Sequence, residues 1–462
     1  MENVMRDPAL DRRIFLKRSA VAAGALAMVK PFEALVTNGP QGHAGNRRHS
    51  PDYGPLVEAA DETTGLPLLL LPEGFRYLSF GWTNEMMTDG ILTPGAHDGM
   101  AAFRASHHRA RLVRNHEVGE GPDAFATGID YDANAGGGTT TIEFDTKQGR
   151  VLRSWASISG TVRNCAGGPT PWGSWLTCEE TTVGPSANND LLKKHGYIFD
   201  VPAWGAADPV ALKAMGRFSH EAVAVDPWTG IVFETEDAGS NSGFYRFLPR
   251  SRRSLQFGGR LQMLGIKDQP QFDTRTNQTG EWLRAEWFDI DNPDPDLAAG
   301  EEPVFLQGFT RGGARFGRLE GAWYGDGSIF FVSTSGGNAG QGQIWEYVPR
   351  RDRIRLLFES PSADVLNAPD NITVSPRGGL VLCEDGGGTE FLHGLTTDGV
   401  IFKFAQNNVD LRSRPIGEFE GDYRGSEFAG ACYSPDGDWL FFNIQSPGVS
   451  FAVTGPWKRG AL

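Results

Sequence analysis

The sequence lacks the short motifs that identify several common enzyme and metal-site classes. Its four cysteines, Cys165, Cys178, Cys383 and Cys432, include no Cys-x-x-Cys pair, which excludes a zinc-finger type of site. The histidines are scattered and no nucleophile-elbow motif accompanies them, so the chain shows no sign of a serine hydrolase triad. Neither of the glycine runs at 136–138 and 386–388 is followed by Lys-Ser/Thr, which excludes a Walker loop.

Positive charge and helical periodicity are also scarce. The formal net charge of −14 argues against a nucleic-acid partner, because binding to phosphate backbones requires a basic face. A surplus of carboxylates fits a protein that holds cations instead. Stretches with helical period are few, whereas short runs of β-branched and aromatic residues bounded by Gly, Pro and Asp occur throughout. We therefore predict an all-β fold.

The N-terminus resembles a twin-arginine export signal. The run Asp11-Arg12-Arg13-Ile14-Phe15-Leu16-Lys17 precedes an apolar stretch, Ala20–Val29, that is too short to span a bilayer. We assign residues 1–36 to this signal region and residues 37–60 to a linker, and we predict a single domain over 61–462. The expected location is periplasmic or secreted, with the twin-arginine translocase as a partner during export and no stable membrane span.

A turn of the type Pro-x-Gly, followed by an apolar strand and an acidic or amide residue, recurs along the chain. The copies lie at 171–180, 227–237, 326–333, 376–385 and 435–443, after a looser copy at 107–117. A short strand precedes each turn, so each copy predicts a β-hairpin. The repeat predicts a six-bladed β-propeller with insertions between blades, such as Leu261–Pro303. A β-sandwich is the competing architecture, but it does not explain a repeat that continues along the whole chain.

Alignment of the copies on their turns produces two columns of residues suited to metal binding. The first strands begin with Asp98, Cys165, Glu221, Glu320, Asp370 and Ala429. The second strands end with Glu117, Glu179, Glu236, Glu384 and Asn443. Antiparallel pairing puts both columns at the same end of the hairpins, which we expect to be one mouth of the propeller channel. Carboxylates this dense repel one another unless cations are bound. Oxygen ligands suit Ca²⁺, whereas carboxylates joined by one thiolate suit a transition metal such as iron.

At these residues the sequence resembles the PhoX family of bacterial alkaline phosphatases. Seven segments carry the resemblance: Arg114-Asn115-His116-Glu117, Asn164-Cys165-Ala166-Gly167-Gly168, Thr170-Pro171-Trp172-Gly173-Ser174-Trp175-Leu176-Thr177-Cys178-Glu179-Glu180, His220-Glu221-Ala222, Arg318-Leu319-Glu320-Gly321, Pro369-Asp370-Asn371, and Phe441-Phe442-Asn443-Ile444-Gln445-Ser446-Pro447-Gly448. Together with the N-terminal signal, they cover nearly the whole chain.

The resemblance implies a six-bladed propeller that hydrolyses phosphate esters, its small-molecule partners, with iron and calcium ions. It implies Cys165 as the thiolate ligand of iron. Arg318 corresponds to a basic residue that contacts the substrate phosphate, and we assign it the catalytic role. The implied metal ligands also include the acidic pair Glu179 and Glu180, together with Glu221 and Glu320. We extend the ligand list to Glu117, Asp370, Glu384 and Asp385.

Two features depart from the family. Gln445-Ser446-Pro447-Gly448 stands where the family usually has Gln-His-Pro-Gly, and the chain is shorter than the characterised enzymes. Both departures concern activity and substrate range more than metal binding.

Three functions stay open on the sequence. The first is a metal-dependent phosphomonoesterase, with phosphodiesterase as a variant, because metals and a forked arginine supply the positioning and charge neutralisation that phosphoryl transfer needs. The second is a metal-stabilised propeller that binds a ligand or partner without catalysis. The third is another propeller hydrolase, such as a calcium-dependent lactonase. Cys165 argues against the lactonase, since a site for a hard cation has no use for a thiolate, and Arg318 favours the phosphatase over the binding module.

Overall fold

Short antiparallel strands make up most of the regular structure of the chain. The computed structural model describes residues 50–187 and 189–462. The predicted export signal at 1–36 and the first part of the predicted linker lie outside the described residues. One α-helix, α1 (Val304–Phe309), is found within them. Short 3-10 helices lie at Lys213–Met215, Leu255–Phe257, Thr274–Thr276, Leu297–Ala299, Pro349–Arg351 and Trp457–Arg459.

The described strands are mostly four to ten residues long, and both tight turns and longer loops connect them. In chain order they are β1 (Leu56–Ala59), β2 (Leu69–Pro72), β3 (Arg76–Phe80), β4 (His97–Ser106), β5 (Arg109–His116), β6 (Gly137–Asp145), β7 (Arg150–Thr161), β8 (Asn164–Pro169), β9 (Ser174–Glu179), β10 (Ile198–Pro202), β11 (His220–Val225), β12 (Val232–Glu236), β13 (Phe244–Pro249), β14 (Gly259–Ile266), β15 (Trp282–Asp289), β16 (Leu319–Gly325), β17 (Ser328–Ser333), β18 (Gln343–Val348), β19 (Arg353–Glu359), β20 (Pro369–Val374), β21 (Leu380–Glu384), β22 (Phe391–Leu395), β23 (Ile401–Asn407), β24 (Phe428–Tyr433), β25 (Leu440–Ile444) and β26 (Val449–Thr454).

These strands form five antiparallel sheets. One sheet contains β4 to β7, one β8 to β10, one β24 to β26 with β3, and one β20 to β23 with β2 and β1. The fifth has nine strands, because β15 pairs with β14 on one side and with β19 on the other. The predicted insertion Leu261–Pro303 lies outside the repeated hairpins, and it adds the strand that joins β11–β14 to β16–β19.

The turns of the repeated hairpins explain why the sequence signal recurs. In the turn between β11 and β12, the Asp226 carboxylate accepts hydrogen bonds from the Trp228 N–H at 3.0 Å and the Thr229 hydroxyl at 2.7 Å. Gly230 then leaves the turn with a φ of 74°, a conformation that glycine adopts without steric cost. The equivalent residues of four other hairpins are also left-handed glycines: Gly173, Gly327, Gly378 and Gly437.

The other end of each hairpin, where the first strand begins and the second strand ends, also repeats one geometry. We call this end of the six hairpins the acid-rich end. In all six hairpins, the residue after the second strand donates its backbone N–H to the carbonyl oxygen of the residue just before the first strand. The distances lie between 2.8 and 3.3 Å. The pairs are Glu117 with Ala96, Glu180 with Arg163, Asp237 with Ser219, Thr334 with Arg318, Asp385 with Ala368, and Gln445 with Glu427.

A register shift follows in each first strand, close to the acid-rich end. The pairing passes over two residues of the first strand for one of the second, as in a β-bulge. The passed residues are 98–99, 165–166, 221–222, 320–321, 370–371 and 430–431. A bulge of this kind re-aims the side chain that it carries, so the six hairpins present equivalent side chains at the same end.

The first strands of the described chain complete two sheets that its last strands form. Strand β3 pairs with β26, the last strand, and β2 pairs with β23. The Tyr53 hydroxyl lies 2.7 Å from the carbonyl oxygen of Leu462 and accepts the Leu462 N–H at 2.9 Å. Tyr53 and β1 (Leu56–Ala59) fall within the predicted linker. That part of the linker is therefore ordered, because its backbone pairs with β2.

Apolar side chains of neighbouring sheets pack into separate clusters around the molecule. Three of the four cysteines belong to these clusters: Cys383 packs among residues that include Phe404 and Phe428, Cys178 among residues that include Ile198, and Cys432 beside residues such as Phe441. Cys165 is equally buried but belongs to none of them. Three cysteines are therefore packed as small apolar residues, whereas Cys165 has a different environment.

The prediction of an all-β fold is confirmed. The described residues belong to one compact unit, and their regular structure contains very little helix. No helix in the described part of the chain is long and apolar enough to cross a membrane.

The contacts of Tyr53 predict a measurable contribution to stability. Tyr53→Phe should lower the free energy of unfolding by about 1–3 kcal/mol, because the Leu462 backbone loses its hydrogen-bond partner. Denaturation in urea with unchanged slope measures this loss. Tyr324→Phe is the matched control, since no side-chain hydrogen bond of its hydroxyl is found among the described residues. Equal stability of the two variants would show that the Tyr53 hydroxyl does not hold the termini together.

Candidate metal centre

Seven of the nine predicted metal ligands come together at the acid-rich end. Four groups of carboxylate or thiol side chains have their ligand atoms within 4.8 Å of one another. The groups are Cys165 with Glu180 and Glu221; Glu221 with Glu320 and Asp370; Asp370 with Asp385 and Glu427; and Asp98 with Glu117 and Glu427. They share Glu221, Asp370 and Glu427, so they form one connected set rather than four separate sites.

Two of the repeated positions supply most of this set. The bulge provides Asp98, Cys165, Glu221, Glu320 and Asp370, and the residue after the second strand provides Glu117, Glu180 and Asp385. Since the same backbone hydrogen bond fixes both positions in every hairpin, the side chains of different hairpins converge. The geometry therefore follows from the repeat, and the chemistry follows from which residues occupy it.

Burial makes the charged forms of these side chains costly. Burial, together with the neighbouring charge of Asp370, raises the pKa of both Glu221 and Glu320 well above the usual range. Burial and the charge of Asp385 raise the pKa of Glu427 in the same way. Burial and then the charge of Glu221 raise the pKa of the Cys165 thiol. In the absence of a positive partner, these groups oppose one another.

The donor atoms fit metal ions. The Oε2 atoms of Glu221 and Glu320 are buried and find no hydrogen-bond partner among the described residues, which is costly unless a cation compensates. The three groups built only from carboxylates offer the hard oxygen ligands that Ca²⁺ prefers. The group with Cys165 adds a soft ligand that suits a transition metal. A cation there would also favour the thiolate over the thiol.

Asn115 holds the bulge that carries Cys165. Its side-chain amide donates to the carbonyl oxygens of Cys165 at 3.0 Å and Ala166 at 2.7 Å. Its own oxygen accepts from the Trp175 indole at 2.8 Å and the Thr177 hydroxyl at 2.9 Å. All of these groups are buried. The segment Arg114-Asn115-His116-Glu117 therefore positions the thiol across the boundary between two hairpins.

Two predicted ligands, Glu179 and Glu384, do not join the clusters. The Glu179 carboxylate accepts the backbone N–H groups of Val162 at 2.9 Å and Gly196 at 2.8 Å, and it contacts His195. Glu384 accepts the N–H groups of Asn367 and Phe391 and contacts His393. Each is the last residue of its strand, whereas Glu180 and Asp385 follow the strand. Neighbouring residues point to opposite sides, so only the second of each pair joins the groups.

Glu427 is the ligand candidate that sequence alignment missed. In its hairpin the aligned position holds Ala429, and the register shift lies one residue further along the strand than in the others. Glu427 occupies the position just before the first strand, yet its carboxylate joins two of the groups. An acid two residues before an aligned alanine was the available signal, since that spacing retains the side of a strand.

Arg318 contacts one acid of the set, Glu320, and one acid outside the four groups, Asp237. Its guanidinium lies 3.0 Å from the Asp237 carboxylate and also contacts Glu320. The side chain is 27% exposed, so it reaches both the buried carboxylates and the solvent. Arg318 has a φ of 44°, and residues before the first strands of three other hairpins are also left-handed: Ala96, Arg163 and Ala368.

The segment that departs from the PhoX pattern lies beside the set. The Gln445 amide contacts the Glu117 carboxylate. Ser446, where the family usually has His, is exposed, and its backbone N–H donates to the Ser426 hydroxyl at 2.8 Å. The site therefore contains a serine at its rim where an imidazole is expected.

The family profile of alkaline phosphatase PhoX matches residues 51–448, which is most of the sequence. The chain belongs to the PhoX family. The resemblance inferred from the motifs is thereby confirmed, and membership supports a phosphatase. The family is metal-dependent, in keeping with the clustered acids.

The comparison with solved structures concerns the fold alone. PhoX from Pseudomonas fluorescens, in complex with vanadate, a transition state analogue, is similar with a TM-score of 0.65 and 18% identity, over 90% of this chain and 99% of that one. A gluconolactonase from Xanthomonas campestris has a TM-score of 0.44 and 14% identity, over 90% of this chain and 100% of that one. No curated protein sequence matches the chain significantly. The PhoX likeness supports a propeller-like β fold.

Neutralisation of one buried carboxylate should remove the stabilisation that cations provide. Metal-free Glu221→Gln should be at least as stable as metal-free wild type, because it removes a carboxylate that repels its neighbours. Calcium at 100 times its Kd should stabilise the wild type by about 2.7 kcal/mol and the variant by much less. Unfolding in the presence and absence of calcium, after treatment with a chelator, measures both effects.

Glu234→Gln is the matched control for this experiment. Glu234 is a buried carboxylate of β12 without a hydrogen-bond partner among the described residues, and it belongs to none of the four groups. Its variant should retain the full effect of calcium. If calcium stabilises wild type and Glu221→Gln equally, Glu221 is not a calcium ligand.

Proposed function

We propose that the chain is an exported phosphatase that hydrolyses phosphate esters at a multi-metal site of iron and calcium. The site would lie at one mouth of a six-bladed propeller channel. The observation that carries the proposal is the group formed by Cys165, Glu180 and Glu221, in which a buried thiol stands among carboxylates. PhoX family membership supplies the reaction class.

Six blades are proposed because six hairpins share the same backbone hydrogen bond and the same register shift. The nine-stranded sheet then comprises two blades joined by β15. The proposed domain boundaries are a twin-arginine signal at residues 1–36, a linker to residue 60 and a single propeller at 61–462. The proposed location is periplasmic or secreted, and the twin-arginine translocase is the proposed partner in export.

Cys165, Glu180 and Glu221 would hold iron, because this group alone among the four contains a thiol. The groups without a thiol would hold calcium through Asp98, Glu117, Glu221, Glu320, Asp370, Asp385 and Glu427, so Glu221 would serve both metals. When bound, the ions supply neutralisation of the negative charge on the phosphate oxygens. The buried side chains provide a rigid frame, so little reorganisation is needed as charge develops.

Arg318 is the proposed residue for substrate contact. Asp237 accepts from both Nε, at 3.1 Å, and Nη2, at 3.0 Å, and this pairing orients the plane of the guanidinium. A guanidinium held in this plane can donate charge-assisted hydrogen bonds to a phosphate in a fixed direction, which a lysine ammonium cannot reproduce. Glu320, which Arg318 contacts, belongs to the proposed calcium ligands. A phosphate bound by Arg318 would therefore lie next to the bound cations.

Replacement of the thiol tests the iron assignment. Cys165→Ser should lose most of its iron and keep its fold and calcium, because a hydroxyl is a much poorer ligand than a thiolate for that ion. Elemental analysis of the purified proteins gives the metal content. Cys432→Ser is the control: it replaces a cysteine of an apolar cluster and should retain iron. Iron content unchanged by Cys165→Ser would show that the thiol is only a core residue.

Removal of the guanidinium tests the catalytic assignment. Arg318→Ala should reduce turnover of p-nitrophenyl phosphate by about 100-fold or more, on the scale of the loss of one transition-state donor, while bound metal stays largely intact. Arg318→Lys should recover only part of the rate. Arg315→Ala, which breaks an ion pair with Asp273 outside the groups, should retain activity.

Two outcomes would redirect the proposal. A simultaneous loss of metal and stability in Arg318→Ala would assign the arginine to a structural ion pair. Wild-type protein that holds iron and calcium but hydrolyses no phosphate mono- or diester would favour the binding-module function, and Ser446 would then be the first position to examine. Turnover of lactones alone would favour the lactonase.

A further inference from the structure

We infer that Arg163 is a second substrate-binding arginine, which acts with Arg318 to select phosphomonoester dianions over phosphodiesters. The inference rests on the proposed function and names the substrate class of the same site. It starts from the backbone position that the two arginines share.

Arg163 and Arg318 occupy equivalent positions in two hairpins. Each precedes the first strand of its hairpin, and each carbonyl oxygen accepts the N–H of the residue that follows the second strand, at 2.9 Å and 2.8 Å. Each backbone is left-handed, with φ of 52° and 44°. Each stands two residues before a ligand candidate, Cys165 or Glu320. In each case, one residue lies between the arginine and the buried ligand candidate.

The fold does not require arginine at this position. Two other hairpins place Ala96 and Ala368 there with nearly the same φ, 48° and 47°. A left-handed backbone costs a residue with a Cβ about 1–2 kcal/mol, so glycine would satisfy the turn better. The conformation therefore explains a small residue and does not explain a long cationic one. The side chains of Arg163 and Arg318 need a separate reason.

Their contacts supply that reason. Arg163 lies 2.7 Å from the Glu180 carboxylate and 3.6 Å from that of Glu117, and its side chain is 38% exposed. Arg318 likewise contacts two carboxylates, those of Glu320 and Asp237. Glu180 and Glu320 belong to neighbouring groups that share Glu221. The two guanidiniums therefore border the same part of the set, which contains the only thiol of these groups.

Two guanidiniums at one site favour a substrate with two negative charges. A phosphomonoester has three terminal oxygens and a charge near −2 at neutral pH, whereas a diester has two terminal oxygens and a single charge. Each arginine presents a planar fork of donors, so the two together can reach all three terminal oxygens of the monoester and match its charge. A diester would leave one fork without an oxygen and would place its second ester group near it. Arg163 thereby supplies discrimination that Arg318 alone does not.

The experiment compares full-length holoprotein with the variants Arg163→Gln and Arg163→Lys. Inorganic phosphate is the binding probe, measured by calorimetry, and p-nitrophenyl phosphate and bis-p-nitrophenyl phosphate are the substrates. In Arg163→Gln, phosphate binding should weaken about tenfold, and the monoester-to-diester ratio of kcat/KM should fall about tenfold, with iron and calcium content unchanged. Arg163→Lys should recover part of both losses.

Arg153→Gln is the matched control. Arg153 is half exposed and pairs with the buried Glu143 at 2.8 Å, and Glu143 keeps two other arginine partners, so this variant removes a comparable ion pair away from the groups. It should leave phosphate binding and the substrate ratio unchanged. The comparison separates loss of a local guanidinium from loss of any surface charge.

Several results would overturn the inference. An unchanged substrate ratio in Arg163→Gln, with or without loss of metal and thermal stability, would reduce Arg163 to a structural partner of Glu180. If the wild type holds metals but hydrolyses neither ester, the proposed function fails, and phosphate binding still decides the role of Arg163. Equal phosphate binding by wild type and Arg163→Gln, or none by the wild type, would refute it.

Discussion

Repulsion between buried carboxylates is the constraint on which the site depends. Glu221, Glu320 and Asp370 place ligand atoms within 4.8 Å of one another, and burial removes the water that would screen them. Such a group persists in a folded protein only when it is protonated or when positive charge lies close to it. Two arginines at the border contribute some positive charge, and the Oε2 atoms of Glu221 and Glu320 find no hydrogen-bond partner within the described part of the chain. Metal ions are the partners that suit this arrangement.

The repeated hairpin solves a geometric problem with the backbone alone. In each of six hairpins, one backbone hydrogen bond and one register shift orient three side chains. They belong to the residue before the first strand, the residue in the bulge and the residue after the second strand. Substitution at these positions then changes the chemistry without changing the frame. Carboxylates create oxygen sites, Cys165 creates a softer one, and arginines create sites for anions. The position before the first strand holds Ala, Ser, Arg or Glu in different hairpins, which shows how freely the frame accepts different functions.

Much of this arrangement could be predicted because it repeats in the sequence. Turn glycines mark five of the six hairpins, and residues at equal distances from the turns share a structural position. This spacing predicts that Cys165, Glu221, Glu320 and Asp370 lie together. The family and the all-β fold follow from the same segments. The choice between Glu179 and Glu180 could not be made, because a shift of one residue at a strand end reverses the side chain. The pattern does not state where the strand stops.

Other features depend on details that no repeat encodes. Glu427 joins the set because the register shift of its hairpin lies one residue further along than in the others. Arg163 and Arg318 are equivalent because they share a left-handed backbone and the same backbone hydrogen bond, which the sequence does not indicate. The strand at Leu56–Ala59 depends on pairing with β2, which itself pairs with the distant strand β23, and its own composition does not indicate this.

Anomalous X-ray diffraction from crystals of the protein purified with its natural metals tests the central claim most directly. Data collected on both sides of the iron absorption edge locate iron without reference to any assumed ligand. The account predicts an iron peak within bonding distance of the Cys165 Sγ atom and of carboxylate oxygens of Glu180 and Glu221. It further predicts lighter ions among the groups without a thiol. Crystals with no ion at the acid-rich end, and with its carboxylates paired only to arginines, would contradict it.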